Sequence, residues 1–95
     1  MRIAIDFDET YSADPEFFAK FVALARKHNH QPCIVSCRRA TVENHELVTS
    51  TVGDEISILV VFTDLQPKRV VMEELGLPVD IWIDDSPDSV ERGRQ

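Results

Sequence analysis

The sequence predicts a single α/β domain built on a short parallel sheet. Apolar segments alternate with segments of helical spacing along the 95 residues, and this alternation is typical of parallel strands joined by helical crossovers. No linker, internal repeat or low-complexity stretch interrupts the pattern. We therefore expect one domain over residues 1–95. It should be a three-layer sandwich, with helices on both faces of a sheet whose strand order is 4-1-2-3.

The strands are expected in the most apolar parts of the chain. These parts are residues 3–7, 33–37, 56–62 and 79–83. The third segment is apolar along almost its whole length, as expected of a strand that is covered on both faces.

The segments between the strands contain helix start and stop signals. Asp14-Pro15 predicts the N-cap and first residue of a helix, and the phenylalanines that follow recur at helical spacing. Thr41 is expected to cap a second helix through about Val52, although its β-branched residues favour a helix only weakly. Pro67 begins a third helix, which a glycine and a proline end. Ser86-Pro87 starts a short last helix.

Composition narrows the classes of function. The chain has 17 acidic and 10 basic residues, a formal net charge of −7, which disfavours nucleic-acid coating because that role needs Lys and Arg against phosphates. The chain has no apolar run near the roughly 20 residues that span a bilayer, so no membrane role is expected. Cys33 and Cys37 do not form a disulfide framework, which favours a reducing, cytoplasmic location.

Acidic residues follow the first and the last expected strand. Asp6 and Asp8 are two positions apart, so their side chains point the same way while the backbone is extended. Asp84 and Asp85 end the last strand, and the carboxyl ends of parallel strands meet at one edge of the sheet. Carboxylates gathered there repel one another unless a cation lies among them. Mg²⁺ is a hard cation that binds oxygen ligands, so we predict a magnesium site at these four residues.

Further polar residues at the same edge point to phosphoryl transfer. Lys68 lies in the first turn of the third helix, and Ser36 follows the second strand with its hydroxyl. Arg38 and Arg39 fit phosphate binding and solvent exposure equally well, and Asp64 is expected to be a turn or helix-start residue. Acids with a metal ion, a lysine and a hydroxyl suit phosphoryl transfer, in which catalysis is mostly positioning and charge neutralisation.

Taken in order, these residues resemble the four motifs of the haloacid dehalogenase superfamily of phosphatases and phosphotransferases. Asp6-Phe7-Asp8-Glu9-Thr10 resembles the first motif, Asp-x-Asp-x-Thr, and Ser36 ends an apolar strand as in the second. Lys68 matches the third motif, and the strand ending in Asp84-Asp85 matches the fourth. The resemblance covers essentially the whole chain and implies a Rossmann-like core.

The resemblance implies catalytic roles for the matching residues. Asp6 would be the nucleophile that forms an aspartyl-phosphate intermediate. Asp8 would act as general acid toward the leaving group and then as general base toward water. Ser36 and Lys68 would hold the phosphoryl oxygens. The implied activity is hydrolysis of a small phosphorylated metabolite or a nucleotide.

The resemblance also implies binding roles. Asp84 would bind Mg²⁺ together with Asp6 and the backbone carbonyl of Asp8. Asp85 would help to bind the ion, directly or through water. Thr10 and Arg38 are expected to bind the substrate. Thr10 would also hold the loop after the first strand in place.

The sequence departs from the family pattern at three points. Glu9 stands where the first motif usually has glycine, and no segment is long enough for a cap domain. Few residues follow the fourth strand, so we expect that strand to have an open edge. An uncapped site is either open to a large substrate or closed by a partner, so a second copy of the chain is a candidate to cover the site or the strand edge.

Three other functions fit the same residues. A phosphate- or metal-binding module without turnover fits the short chain and Glu9. A nucleic-acid end phosphatase shares the chemistry and changes only the substrate, although the net charge disfavours it. A receiver-like domain phosphorylated on Asp64 would also have an acidic cluster and a lysine, but Lys68 precedes the fourth strand here, whereas such domains have their lysine on a fifth.

Overall fold

A computed structural model describes residues 1–93 and contains a four-stranded, all-parallel sheet flanked by helices. The strands are β1 (Arg2–Ile5), β2 (Gln31–Ser36), β3 (Leu59–Phe62) and β4 (Ile81–Ile83). The helices are α1 (Pro15–Lys27), α2 (Val42–Val52), α3 (Lys68–Glu74) and α4 (Asp88–Arg92), with a 3₁₀ turn over Tyr11–Ala13.

The strands lie in the order β3-β2-β1-β4. Counted from the β4 edge, the same sheet is 4-1-2-3. The two central strands, β1 and β2, pair from Arg2 and Gln31 through Ile5 and Ile34. All pairs are parallel, so the carboxyl ends of the strands and the loops that follow them gather at one edge of the sheet.

Helices cover both faces of the sheet. Successive side chains of a strand point to opposite faces, so each face has apolar side chains that pack against its own helices. Ile5 and Ile34 are fully buried on one face with side chains of α1 and α2, among them Val22 and Val48. On the other face the strand residues pack against Met72 of α3; they are Ala4, Cys33, Val35 and Val61. The predicted three layers are therefore present.

The predicted helix starts are confirmed by their side-chain caps. The Asp14 carboxylate accepts a hydrogen bond from the backbone N–H of Phe17, and the Thr41 hydroxyl accepts one from the backbone N–H of Asn44. Each bond satisfies an N–H that has no partner within its own helix. The second helix ends at Val52, as expected.

The third strand is shorter and more exposed than the sequence predicts. The predicted start at residue 56 is wrong, because β3 begins at Leu59, which is 49% exposed. Its later residues do pack on both faces, Val60 and Phe62 on one and Val61 on the other. Ser57 has a φ of 48°, which breaks the extended backbone before the strand begins. The guanidinium of Arg26 donates to the backbone oxygens of Ile56 and Ser57, so a side chain, and not a neighbouring strand, satisfies them.

Strand β4 is also shorter than predicted, at three residues, and forms the other edge of the described sheet. Its predicted start at Val79 is wrong, because ladder pairing begins at Ile81. None of the helices in residues 1–93 combines the length and the apolar character of a membrane span.

Candidate active site

A cleft of about 470 Å³ opens at the carboxyl edge of the sheet. Most of its lining residues carry a charge, and they come from the loops after β1, β2, β3 and β4 and from the first turn of α3. The lining residues are Asp6, Asp8, Glu9, Cys37, Arg38, Leu65, Lys68 and Asp85. The cleft therefore lies where the order of parallel strands predicts a ligand site.

Asp6 lies directly after β1, at the floor of the cleft. Its backbone N–H donates to the oxygen of Ile83 at 2.9 Å, which continues the sheet by one residue and fixes the direction of its side chain. Its backbone oxygen accepts from Tyr11 at 3.1 Å. The residue is 5% exposed, so this carboxyl group lies at the boundary between the core and the cleft.

Lys68 bridges two of the carboxylates. Its Nζ donates to Asp6 Oδ1 at 2.7 Å and to Asp84 Oδ2 at 2.6 Å, although the residue is only 1% exposed. Burial lowers the pKa of Lys68, but the hydrogen bonds and charges of Asp6 and Asp84 outweigh burial and raise that pKa overall. An ammonium group has three N–H donors, so one donor remains beyond the two carboxylates.

Asp6, Asp84 and Asp85 bring carboxylate oxygens within 4.8 Å of one another. Burial and a hydrogen bond to Asp85 raise the pKa of Asp6 to about 6, against the opposing effect of Lys68. The same hydrogen bond lowers the pKa of Asp85. The two adjacent carboxylates are coupled, and the more deeply buried Asp6 is the one whose pKa is raised.

Local hydrogen bonds hold the acids of β4 in place. Asp84 accepts from the backbone N–H of Ser86 at 2.8 Å and from the Ser89 hydroxyl at 3.3 Å. The Thr10 hydroxyl lies 3.1 Å from Asp85 Oδ1 and 3.4 Å from Asp6 Oδ2, and it accepts from the backbone N–H of Asp85 at 3.2 Å. Thr10 therefore joins the loop after β1 to the loop after β4.

Asp8 lies on the opposite side of the cleft and pairs with Arg38. Arg38 Nε donates to both carboxylate oxygens, at 2.9 and 3.2 Å, and Nη2 donates to Oδ1 at 2.7 Å. The hydrogen bond to Asp8 raises the pKa of Arg38. Asn44 on α2 accepts from Arg38 Nη1 at 2.7 Å, so Arg38 links the loop after β1 to α2.

The donor set fits a divalent cation. Asp6, Asp84 and Asp85 offer oxygen ligands, and Lys68 neutralises only one of these acids. Burial, together with the neighbouring carboxylates, raises the pKa of Asp6 to about 6, so negative charge gathered at this place is costly. A hard dication with oxygen ligands would offset that charge. Among residues 1–93, no other group of His, Cys, Asp and Glu side chains is arranged in this way.

The structure brings most of the predicted site residues together and places three of them differently. The Asp8 side chain is bound to Arg38 and lies outside the cluster of Asp6, Asp84 and Asp85. Thr10 is 8% exposed and bonds to Asp85, as expected of a residue that ties down the loop after β1, and it is not among the cleft-lining residues. Ser36 is fully buried, and its hydroxyl accepts from the backbone N–H of Arg38 at 3.2 Å; it shapes the turn and does not line the cleft.

Two other candidate residues lie apart from the cleft lining. Asp64 has a φ of 52° and is 3.6 Å from the guanidinium of Arg39, consistent with a turn residue. Arg39 therefore faces Asp64, whereas Arg38 lines the cleft.

Sequence reasoning missed Asn44 and Ser89 and gave Glu9 no role. Asn44 lies on α2 at the position where its amide reaches Arg38, and only the packing of α2 shows this. Glu9 lines the cleft with a φ of 59°. Glycine adopts this left-handed conformation more readily than glutamate. The signal available in the sequence was that the resemblance led us to expect glycine at this position.

Comparison with protein-family models, with curated proteins and with solved structures gave no match to this chain.

Proposed function

We propose that the protein is a Mg²⁺-dependent phosphomonoester hydrolase of the haloacid dehalogenase type, with an aspartyl-phosphate intermediate. The arrangement around Lys68 is the main support. Its ammonium joins Asp6, from the first motif, to Asp84, from the fourth, although these residues are far apart in the sequence. Asp8 faces the same cleft. The proposed nucleophile Asp6, the cationic Lys68 and the proposed proton donor Asp8 thus line one cleft.

In the proposed reaction, Asp6 bonds to phosphorus and Asp8 transfers protons. A carboxylate oxygen of Asp6 forms a bond to phosphorus while the ester bond to the leaving oxygen breaks, and the Asp8 carboxyl group gives that oxygen its proton. Asp8, now a carboxylate, takes a proton from water, whose oxygen bonds to phosphorus and releases phosphate and the Asp6 carboxylate. The ion pair with Arg38 corresponds to the carboxylate form of Asp8.

Charge neutralisation comes from the buried side of the cleft. Lys68 has one N–H donor left for a phosphoryl oxygen, and its position is fixed by two carboxylates. Asp6, Asp84 and Asp85 would hold Mg²⁺, with the backbone carbonyl of Asp8 as a candidate further ligand. The ion supplies electrostatic stabilisation of the phosphoryl oxygens when it is bound.

A small phosphorylated metabolite or nucleotide is the proposed substrate class. Four of the lining residues are acidic and two are basic, and the chain has a net charge of −7, so a polyanion is disfavoured. The uncapped cleft and the open edge of β4 are the proposed places for a second copy of the chain. We also propose a cytoplasmic location, since Cys33 and Cys37 are buried free thiols.

Hydrolysis of p-nitrophenyl phosphate with and without Mg²⁺ tests the proposal. Asp6→Asn removes the nucleophile and should lower kcat by at least about 10³-fold. Asp84→Asn weakens the metal site and should lower activity about 10–100-fold. Asp88→Asn is the matched control, because within residues 1–93 the exposed Asp88 side chain pairs with Arg92 of the same helix, at 3.6 Å, and its activity should equal that of wild type.

The other outcomes separate the remaining candidates. Mg²⁺ binding without hydrolysis of any ester would contradict turnover and support a binding module. Activity confined to phosphorylated oligonucleotide ends would keep the mechanism and change the substrate. Hydrolysis that survives Asp6→Asn would overturn the proposed nucleophile.

A further inference from the structure

Asp8 is oriented by a residue of α2 that no motif identifies. The side-chain hydrogen bonds of Asp8 in the described structure are those to Arg38, and Arg38 is in turn bound by Asn44 Oδ1 at 2.7 Å. The contacts form a path from α2 through Asn44 and Arg38 to Asp8.

Asn44 is itself fixed at both ends. Its backbone N–H donates to the Thr41 hydroxyl at 3.1 Å, within the N-cap of α2. Its Nδ2 donates to the backbone oxygen of Arg39 at 2.9 Å. With the amide nitrogen bound there, the amide oxygen points to Arg38, so the helix end and the loop after β2 together set the position of the guanidinium.

The guanidinium transmits this position to Asp8. It is planar, and its Nε and Nη2 edge holds both oxygens of the Asp8 carboxylate, a paired geometry that fixes direction as well as distance. The pair is partly exposed, at 34% for Arg38 and 43% for Asp8, so packing restrains these side chains less than it restrains the buried Lys68. Asn44 supplies the restraint that packing does not.

We propose that Asn44 is a positioning residue that acts through Arg38 to aim the Asp8 carboxyl group at the leaving oxygen of the substrate. This inference rests on the proposed phosphatase function. It assigns Asn44 to leaving-group protonation and not to the binding of the phosphoryl group, and the two roles differ in how activity depends on the leaving group.

The test compares kcat/KM for two esters, because kcat/KM reports the steps up to release of the leaving group. Nitrophenolate leaves with little help from a proton, whereas the alkoxide of glycerol 2-phosphate needs one. Asn44→Leu should lower kcat/KM at least about 10-fold for glycerol 2-phosphate and less than about 3-fold for p-nitrophenyl phosphate. Asn44→Asp keeps an acceptor oxygen for Arg38 but loses the Nδ2 donor to the backbone oxygen of Arg39, so its loss for glycerol 2-phosphate should be smaller than that of Asn44→Leu.

Val48→Ala is the control for helix damage. Val48 is a buried core residue of α2 whose apolar side chain offers no hydrogen bond to Asn44 or Arg38, so its truncation should lower stability while the ratio of kcat/KM between the two esters stays that of wild type. An equal loss for both esters in Asn44→Leu would overturn the proposal, and so would a Val48→Ala protein that reproduces the selective loss.

A second measurement separates this inference from the proposed function. If wild type hydrolyses neither ester, the phosphatase proposal fails. Hydrogen exchange of the Arg38 Nε–H, followed by NMR, then decides the positioning step. Faster exchange in Asn44→Leu than in Asn44→Asp supports positioning by Asn44, and equal exchange in all three proteins overturns it.

Discussion

The two basic side chains that line the cleft are held in opposite ways. Lys68 and its partners Asp6 and Asp84 are almost completely buried, with side-chain exposures of 2%, 5% and 2%. Arg38 and Asp8 are 34% and 43% exposed. Both groups have hydrogen bonds of about the same length, 2.6–2.7 Å at the shortest. Solvent, and not bond length, distinguishes the two sides of the cleft.

This difference separates a rigid side of the cleft from an adjustable one. In the buried network no water is at hand to replace a lost partner, so separating one charge from the others costs much free energy. Around Arg38, water screens the charges and can replace a lost partner. The rigid side suits the groups that we propose to hold Mg²⁺ and phosphoryl oxygens. The adjustable side suits a proton donor that changes partner during each turnover.

Removal of the lysine should have the largest effect on stability. Lys68→Met leaves Asp6 and Asp84 buried without their cation and should lower the free energy of unfolding by about 3–5 kcal/mol. Lys20→Met is the matched control, because Lys20 pairs with Glu16 on the exposed face of α1 at 3.1 Å; it should cost about 0.5 kcal/mol or less. Urea unfolding without divalent cations measures both. Equal losses would contradict the contrast between buried and exposed pairs.

The loop before Lys68 gives a second way to disturb the buried side. Gly93 has a φ of 75°, and a Cβ there would meet backbone atoms of Leu65, Gln66 and Pro67, the last two at 2.8 and 2.9 Å. Gly93→Ala should therefore lower the free energy of unfolding by about 2–3 kcal/mol, from strain and overpacking together.

Gly76 provides the matched substitution. Its φ is 73°, but a Cβ would meet no atom within 4 Å, so Gly76→Ala should cost only the backbone strain, about 1 kcal/mol. Thermal or urea unfolding of the two variants measures the difference. Equal destabilisation would show that contact with the loop before Lys68 adds nothing.

Loss of the exposed pair should have the smallest effect on stability. Arg38→Gln should change the free energy of unfolding by less than about 1 kcal/mol, because water replaces the lost partner of Asp8. Its effect on hydrolysis of alkyl phosphates should be larger, at least about 10-fold in kcat/KM, since Asp8 loses its orientation. Urea unfolding and steady-state kinetics on one preparation check both. A loss of stability equal to that of Lys68→Met would refute the distinction.

Much of the fold could be predicted because the relevant signals are local. Asp14 and Thr41 cap their helices through bonds to residues three positions away, and such bonds depend on little beyond residue type and spacing. The third strand was mispredicted because Ser57 adopts a positive φ within an apolar run. Apolar character alone does not show where the backbone stops being extended.

By itself, the sequence determined which acids and which lysine reach the carboxyl edge of the sheet. The residue that follows a strand is set by chain order, and parallel pairing brings strand ends together. Only the tertiary structure decided which charges meet. Lys68 pairs with Asp6 and Asp84, whereas Arg38 pairs with Asp8 and also donates a hydrogen bond to Asn44. These contacts join residues up to 62 positions apart, and their geometry depends on how helices pack, which no local spacing fixes.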